Sequence, residues 1–326
     1  MSNQRVRWGI AATGGIAAKM CTALAGLPDA EIVAVGSRTQ ESADAFAARF
    51  AIANSHGSYE ALFADPDVDI VYIASPHSHH HEMTIAALDA GKHVLCEKAF
   101  ALNAAQAREM VEAARRNDRF LMEAMWTWFI PAVLDIRQRV LDGEIGEPRL
   151  VEANFGIPVF KPDGRHRRAD LAGGAMLDLG IYPVSFARFL LGEPVAVSAH
   201  GVLADTGVDA TVGGVVSFES DRMAVFHTSL DMLTSGRATV FGTLGRIDVD
   251  APFWFPTGFT VHLDGEEPVH VEMAHQGLAH EAQHAMDRIR AGHLESDVVP
   301  LAVTVSTMEL LDEIRRQVGV VYPAEQ

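Results

Sequence analysis

Four side chains in this sequence have types and spacings suited to proton chemistry. Glu97 and Lys98 stand together near the end of HVLCEKAF (93–100), an apolar run where a buried strand would finish. An acid and a base delivered to one point are either a surface pair at a strand end, or a strand end holding a cation over something it acts on. Asp178 and Tyr182 lie four apart in GGAMLDLGIYPVSFARFLLG, and a helix there puts both on one face. A phenol beside a carboxylate is ordinarily a structural hydrogen bond. As a base it needs help: its reference pKa is about 10, and a nearby ammonium stabilises the phenolate and lowers that value.

A second group is SPHSHHHEM, with His77, His79, His80 and His81. Its density suggests zinc. Consecutive histidines at a helix start point in different directions, however, and no HExxH pattern or cysteine partner is nearby, so no metal site is expected. The segment reads instead as a turn after a strand, with Ser75, Pro76, His77 and His80 lining a cofactor crevice at the strands' carboxyl ends. GRHRRADLAGG brings Arg165, Arg167 and Arg168 just ahead of Asp178. It reads as a solvated loop, with closure over substrate or a phosphate contact as the alternative.

These groups need a scaffold. Up to Ala124 the chain alternates short apolar runs (RVRWGIAA, EIVAVGS, DIVYIAS, HVLCE, RFLMEA) with helix-period segments. Strands alternating with helices imply βαβ units and a parallel sheet buried on both faces. After Trp126 a helix through PAVLDIRQRVLDGEIG leads into longer alternating segments, from RLVEANFGI to FTVHLDG. Alternation of that length predicts antiparallel strands with one face exposed or covered by a partner. FESDRMAV predicts a hairpin, and GGAMLDLGIYPVSFARFLLG an amphipathic helix inserted before the sheet. Two helices, near 279–291 and 300–317, follow it. The expected fold class is α/β: an N-terminal Rossmann doubly wound parallel sheet over 1–124, then an α+β domain over 125–326 with a large, mostly antiparallel open-faced sheet.

WGIAATGGIAAKM joins the first strand to the first helix. In the register Ala12-x-Gly14-x-x-Ala17 it matches a dinucleotide fingerprint. Gly14 allows close backbone approach to a pyrophosphate, Ile16 lies in the same turn, and Ala17 permits close helix–sheet packing. Ala12 stands where the pattern has its first glycine, a departure that bears on the turn's shape. The second strand ends VGSRTQ. Ser37 and Arg38 replace the acid that would hold a ribose 2′-hydroxyl; a hydroxyl and a guanidinium suit a 2′-phosphate, so NADP is expected, with NAD possible.

Composition narrows the partners. The 326 residues carry a formal net charge of −17, which argues against a broad nucleic-acid surface and against binding an anionic membrane. Cys21 and Cys96 form neither a disulfide framework nor a metal-type spacing. The N-terminus shows no secretory h-region, and no apolar stretch looks long and unbroken enough to span a bilayer. A cytoplasmic protein with a small-molecule substrate is expected.

GIAATGGIA, SPHSHHHE, CEKAFALN and GGAMLDLGIYP together resemble the glucose–fructose oxidoreductase / inositol dehydrogenase (Gfo/Idh/MocA) family. FLMEAMWTWFIPAV, GVDATVGGVVSF, FWFPT and RQVGVVYP are similar to its dimeric dihydrodiol dehydrogenase / NADP-dependent D-xylose dehydrogenase branch. The resemblance implies Lys98 and Tyr182 as a catalytic pair, and a substrate pocket formed by Trp126, Phe155, Asp178, Tyr182 and Trp254. The family's Glu-Lys-Pro motif falls on Glu97-Lys98-Ala99. Its proline, often linked to a cis peptide, is missing, and a trans bond before Ala99 is expected because a cis non-prolyl bond costs about 3 kcal/mol. Trp128 stands where the branch usually has a basic residue, which bears on substrate preference.

The resulting expectation is an NADP(H)-dependent oxidoreductase that moves a hydride between nicotinamide and a hydroxyl or carbonyl of a sugar, polyol or cyclic vicinal diol. Tyr182 is the acid/base, Lys98 lowers its pKa across an inter-domain cleft, Asp178 orients, and Glu97 holds the loop beside the cofactor. A homodimer built through the second sheet is expected, with Val212, Val216, Phe218, Val225 and His227 as residues that fall on one or other of its faces. Two other readings fit the same residues: an NAD-dependent glycoside hydrolase working by transient oxidation, and a non-enzymatic dinucleotide-binding sensor.

Overall fold

The computed structural model describes residues 5–159, 161 and 164–325. The chain forms two compact units, Met1–Trp126 with Gln276–Met308, and Thr127–His275 with Glu309–Gln326.

The first unit runs β1 (Val6–Ala11), α1 (Gly15–Ala25), β2 (Ala30–Gly36), α2 (Gln40–Phe50), β3 (Asn54–His56), α3 (Tyr59–Phe63), β4 (Ile70–Ile73), α4 (His80–Asp89), β5 (His93–Glu97), α5 (Ala104–Arg116) and β6 (Leu121–Ala124). Its six strands lie in the order β3-β2-β1-β4-β5-β6, and every pair is parallel. Trp8, Ile10, Ile70 to Ile73, Val94 to Cys96, Leu121 and Met122 are buried, which is why these strands read as unbroken apolar runs rather than alternations. Side chains close the helix starts: Thr39 accepts from the Ser42 N–H and Asn103 from the Gln106 N–H, each occupying one of the donors a helix leaves unpaired. The order reverses between β1 and β4, where a crevice opens at the strands' carboxyl ends.

The second unit contains α6 (Pro131–Leu141), β7 (Pro148–Gly156), α7 (Ile181–Leu191) and strands β8 (Pro194–Leu203), β9 (Asp209–Phe218), β10 (Arg222–Ser229), β11 (Ala238–Gly242), β12 (Gly245–Val249), β13 (Gly258–Leu263) and β14 (Val269–Glu272). They form one eight-stranded sheet in the order β14-β13-β12-β11-β7-β10-β9-β8. All pairs are antiparallel except β7 with β10. The expected hairpin joins β9 to β10 through Glu219, Ser220 and Asp221, the last two at positive φ. Two last helices follow, α8 (Ala279–Arg290) and α9 (Leu301–Val318). α8 belongs to the first unit, and α9 passes from the first into the second.

The segment before β8 differs from the expected amphipathic helix. Met176–Gly180 form a π-turn that runs into α7, and every residue from Met176 to Leu191 is buried. α7 packs on β7 and β10 and is flanked by α6. Its polar residues face inward with partners: Ser185 Oγ donates to the Tyr182 carbonyl at 3.2 Å, and Arg188 pairs with Glu193. A helix covered all round is apolar all round. The membrane expectation is corrected at the same place. Ala169–Leu191 is long and apolar enough by length and composition to cross a bilayer, and its apolar 18-residue window lies wholly inside the protein.

The far face of the large sheet carries exposed apolar residues beside polar ones, Glu152 next to Val225 among them. Val212, Val216 and Phe218 point into the core, whereas Val215, Met223 and Val225 are exposed, as is His227.

Candidate active site

In the first unit, β1 is followed directly by Ala12, whose φ is +99°. That backbone conformation favours glycine, and the chain holds it with the Ala12 N–H donating to the Gly36 carbonyl at 3.0 Å. Gly14 then caps α1, and no described side chain accepts from the first turn. A Cβ on Gly14 or Gly15 would meet no described atom within 4 Å. Bare N–H groups at the start of an eleven-residue helix, with open ground before them, fit a pyrophosphate. Ala17 is fully buried, and Ile16 half-buried beside it.

At the end of β2, Ser37 is buried with its N–H on the His56 carbonyl at 3.0 Å. Arg38 is exposed just ahead of the N-cap of α2. Its charge reaches Tyr59, whose phenol burial pushes up and Arg38 pulls back down.

The histidines separate. His79 pairs with Glu82 at 2.8 Å and His81 with Glu109 at 2.6 Å. His77 is buried and edge-on to His80, 5.6 Å between ring centres. His80 is wholly buried between two carbonyls, Ser75 O at 2.9 Å from Nε2 and Ala99 O at 2.8 Å from Nδ1. Burial pushes its pKa down to about 4, against the pull of those carbonyls and helped by the charge of Lys98. The neutral ring donates its single N–H to one of these carbonyls and packs against the other, between the loop after β4, with Ser75 and Pro76, and the loop after β5. Among the described residues no group of three or more His, Cys, Asp or Glu is placed to hold a metal.

Glu97 and Lys98 are not a surface pair. Glu97 is buried; it accepts from the Tyr72 hydroxyl and, at 3.2 Å, from the Lys98 N–H. Lys98 is half-buried at the strand end. The bond that follows it is cis, which corrects the trans expectation. The surroundings decide the geometry here rather than the intrinsic preference: Ala99 and Phe100 are fully buried, and the Ala99 carbonyl lies against His80.

Behind this loop lies a feature the sequence reading missed. Glu97, Glu123 and Glu281 form a buried carboxyl cluster, the charges of the first two acting on the third. Glu123 accepts from Thr304 at 3.0 Å. Neither oxygen of Glu281 has a hydrogen-bond partner among the described residues, and burial raises its pKa well above the usual carboxylate range. The available signal was that HVLCE and LMEA each end or nearly end an apolar run on an acid. Trp126, half-buried, closes this stretch of the first unit.

In the second unit the expected residues converge. Asp178 is buried and accepts from Arg165 Nη2 at 3.0 Å, with His166 Nε2 at 3.1 Å from its other oxygen. Gly173 makes this possible. A Cβ on Gly173 would fall 2.6 Å from the carbonyls of both Arg165 and His166. The basic loop is thus not simply solvated. Arg165 engages Asp178, and Arg167 is anchored to the carbonyls of Val159 (3.0 Å) and Leu230 (3.1 Å) and to Asp231 (2.6 Å). Among the described residues, Arg168 pairs only with exposed Asp170, two positions on. A turn rich in arginine gave no hint of which side chain reaches a residue 13 positions on.

Tyr182 is 7% exposed. Its ring lies 5.5 Å from that of Phe155, which stacks on Trp254 at 3.4 Å and 10°. The Trp254 carbonyl accepts from Thr127 at 2.9 Å. Phe155, Tyr182 and Trp254 therefore form one aromatic wall. Trp128 is buried elsewhere, stacked on Phe189 at 4.3 Å.

A parallel sheet with an uncapped, glycine-flanked first helix, and a second unit that assembles a carboxylate, a phenol and an aromatic wall, define a nicotinamide-dinucleotide-dependent oxidoreductase. The chain belongs to the GFO/IDH/MocA oxidoreductase family: residues 6–125 match its NAD-binding Rossmann domain and residues 133–248 its C-terminal domain. It is 36% identical to trans-1,2-dihydrobenzene-1,2-diol dehydrogenase of Homo sapiens, over 98% of this chain and 99% of that one. The protein of that name in Mus musculus is 38% identical with the same coverage. Among solved structures, aldose-aldose oxidoreductase from Caulobacter crescentus, complexed with glycerol, superposes with a TM-score of 0.88 at 26% identity, covering 96% of this chain and 97% of that one. A 3-ketoreductase from Actinomadura kijaniata in complex with NADP and TDP-benzene gives 0.87 at 26% identity, covering 97% and 98%.

Proposed function

We propose that this protein is an NADP(H)-preferring dehydrogenase that oxidises a hydroxyl group of a sugar, polyol or cyclic vicinal diol, or reduces the corresponding carbonyl. The observation that carries this reading is the aromatic-walled phenol: Tyr182 faces Phe155 and Trp254 on the same turn as the buried, ion-paired Asp178.

Oxidising an alcohol removes a hydride from carbon and a proton from oxygen. Bound nicotinamide supplies the hydride acceptor. Tyr182 takes the proton, and Lys98 makes this feasible near neutral pH because an ammonium stabilises phenolate. Asp178, fixed by Arg165 and His166, orients the reacting hydroxyl. Trp126, Phe155 and Trp254 offer flat apolar surfaces to the C–H face of a ring substrate, while Asp178 and Tyr182 set its orientation. Ala12, Gly14 and Ile16 receive the pyrophosphate. Ser75, Pro76, His77, His80 and Glu97 shape the crevice around the nicotinamide half.

Arg38 at the start of α2, with Ser37 beside it, supports NADP over NAD, since a guanidinium pairs well with a phosphate monoester. The 3-ketoreductase solved with NADP and the dihydrobenzene-diol dehydrogenases support the cofactor and the cyclic-diol class respectively. The open face carrying Val215, Met223 and Val225 supports a homodimer through the large sheet.

Tyr182→Phe tests the chemistry. It keeps the ring and removes the proton acceptor, so turnover should fall about 10²–10⁴-fold with cofactor affinity little changed. Near-normal turnover in that variant removes Tyr182 from the mechanism.

A further inference from the structure

The turn that carries Asp178 and Tyr182 is held at its start by a residue some 30 positions later. Asp209 opens β9 and is wholly buried. Its Oδ2 accepts from the Met176 N–H at 2.5 Å, and Met176 is the first residue of the π-turn. Gly174, at φ +123°, permits the approach: a Cβ there would lie 2.2 Å from Asp209 Oδ1.

The end of the chain closes the other side. Tyr322 is buried, and its hydroxyl donates to the Gly173 carbonyl at 2.7 Å. The Arg315 guanidinium lies 5.0 Å from the centre of the Tyr322 ring, held by Asp312 at 2.7 Å and Glu325 at 3.0 Å. The charged and titratable groups acting on Asp209 are thus Arg315 from α9 and Tyr322 from the tail. Tyr322 in turn feels Asp178 as well as Asp209.

We propose that Asp209 is a positioning residue for the Asp178–Tyr182 turn, with Tyr322 and Arg315 locking it, so that the C-terminal tail sets the geometry of the catalytic groups. The proposal rests on the functional reading above. A helix start left with bare N–H groups favours a negative charge, and a carboxylate accepts from them more strongly than a carboxylic acid does. Burial raises the pKa of Asp209 to about 7, against the pull of the Met176 N–H and of Arg315. Its grip on the turn therefore tightens as pH rises through neutrality.

The test compares wild type with Asp209→Ala, Asp209→Asn, Tyr322→Phe and Tyr182→Phe, each saturated with cofactor, by kcat, KM, a pH profile of kcat, and cofactor titration. Asp209→Ala should lower kcat about 10- to 100-fold through misplacement of the turn, with cofactor affinity unchanged. Asp209→Asn keeps an acceptor of the same shape. It should recover most of that loss and abolish the component of the kcat profile that rises through about pH 7. Tyr322→Phe should lose about threefold in kcat. If Asp209→Ala does not fold, the Asn and Phe variants carry the test. The proposal is overturned if Asp209→Asn keeps the wild-type profile, or if Asp209→Ala and Tyr322→Phe both keep wild-type kcat. Wild-type turnover in Tyr182→Phe would overturn the functional reading instead, so the two failures are distinguishable.

Discussion

Arg165 reaches across a glycine-rich turn to donate to Asp178 at 3.0 Å, and it does so from solvent: its side chain is 48% exposed while that of Asp178 is 6% exposed. A pair with one end in water is screened by salt. Arg165→Met leaves His166 as a partner for Asp178, so the expected loss in kcat/KM is modest, about three- to tenfold at low salt. Wild-type kcat/KM should fall towards the variant's as salt rises. Equal values at low salt would show that Arg165 does not hold Asp178 for catalysis.

Arg38→Ala should weaken NADP binding about 10- to 100-fold, the contribution of hydrogen bonds to a charged group, and leave NAD binding nearly unchanged. Titration of the free enzyme with each cofactor measures this. Tighter binding of NAD than NADP by wild type would contradict the assignment.

Glu281 gives a stability prediction with a definite sign. Burial, then the charges of Glu97 and Glu123, raise its folded pKa above the ordinary 4.5. The folded state therefore binds this proton more tightly than the unfolded chain, and its contribution to stability falls as pH rises above that ordinary value. Glu281→Gln should flatten the decline. Urea midpoints at about pH 5 and about pH 8 would show a smaller difference in the variant than in wild type. An unchanged difference would mean that Glu281 binds its proton equally tightly in the folded and unfolded states.

The parallel sheet was legible because its strands are buried on both faces, and the large sheet because its strands alternate. β3 and α3 escaped notice because three and five residues are too few to show a period. Lys98 and Tyr182 stood out because their types are chemically distinctive at their positions. Arg165 did not, because one of three neighbouring arginines is singled out only by the tight turn at Gly173. The carboxyl cluster around Glu281 joins three distant segments, and no local pattern records which acids meet. The cis bond after Lys98 ran against the intrinsic preference of its own residues; buried neighbours fix it.

Val215, Met223 and Val225 make assembly testable. Light scattering over a dilution series should report a dimer, and Val225→Asp should shift it towards monomer by placing a charge on the buried face. A fully active wild-type monomer at every concentration would defeat the proposal.

The central claim is tested most directly by following absorbance in the reduced-nicotinamide band while wild-type enzyme meets pentoses, hexoses, inositols and trans cyclic diols, with NADP and NAD in separate series. The account predicts reduction of cofactor by at least one of these, with higher kcat/KM for NADP, and a loss of about 10²-fold or more in Lys98→Met and in Tyr182→Phe. Failure of every substrate to reduce either cofactor, or undiminished rates in both variants, would contradict it.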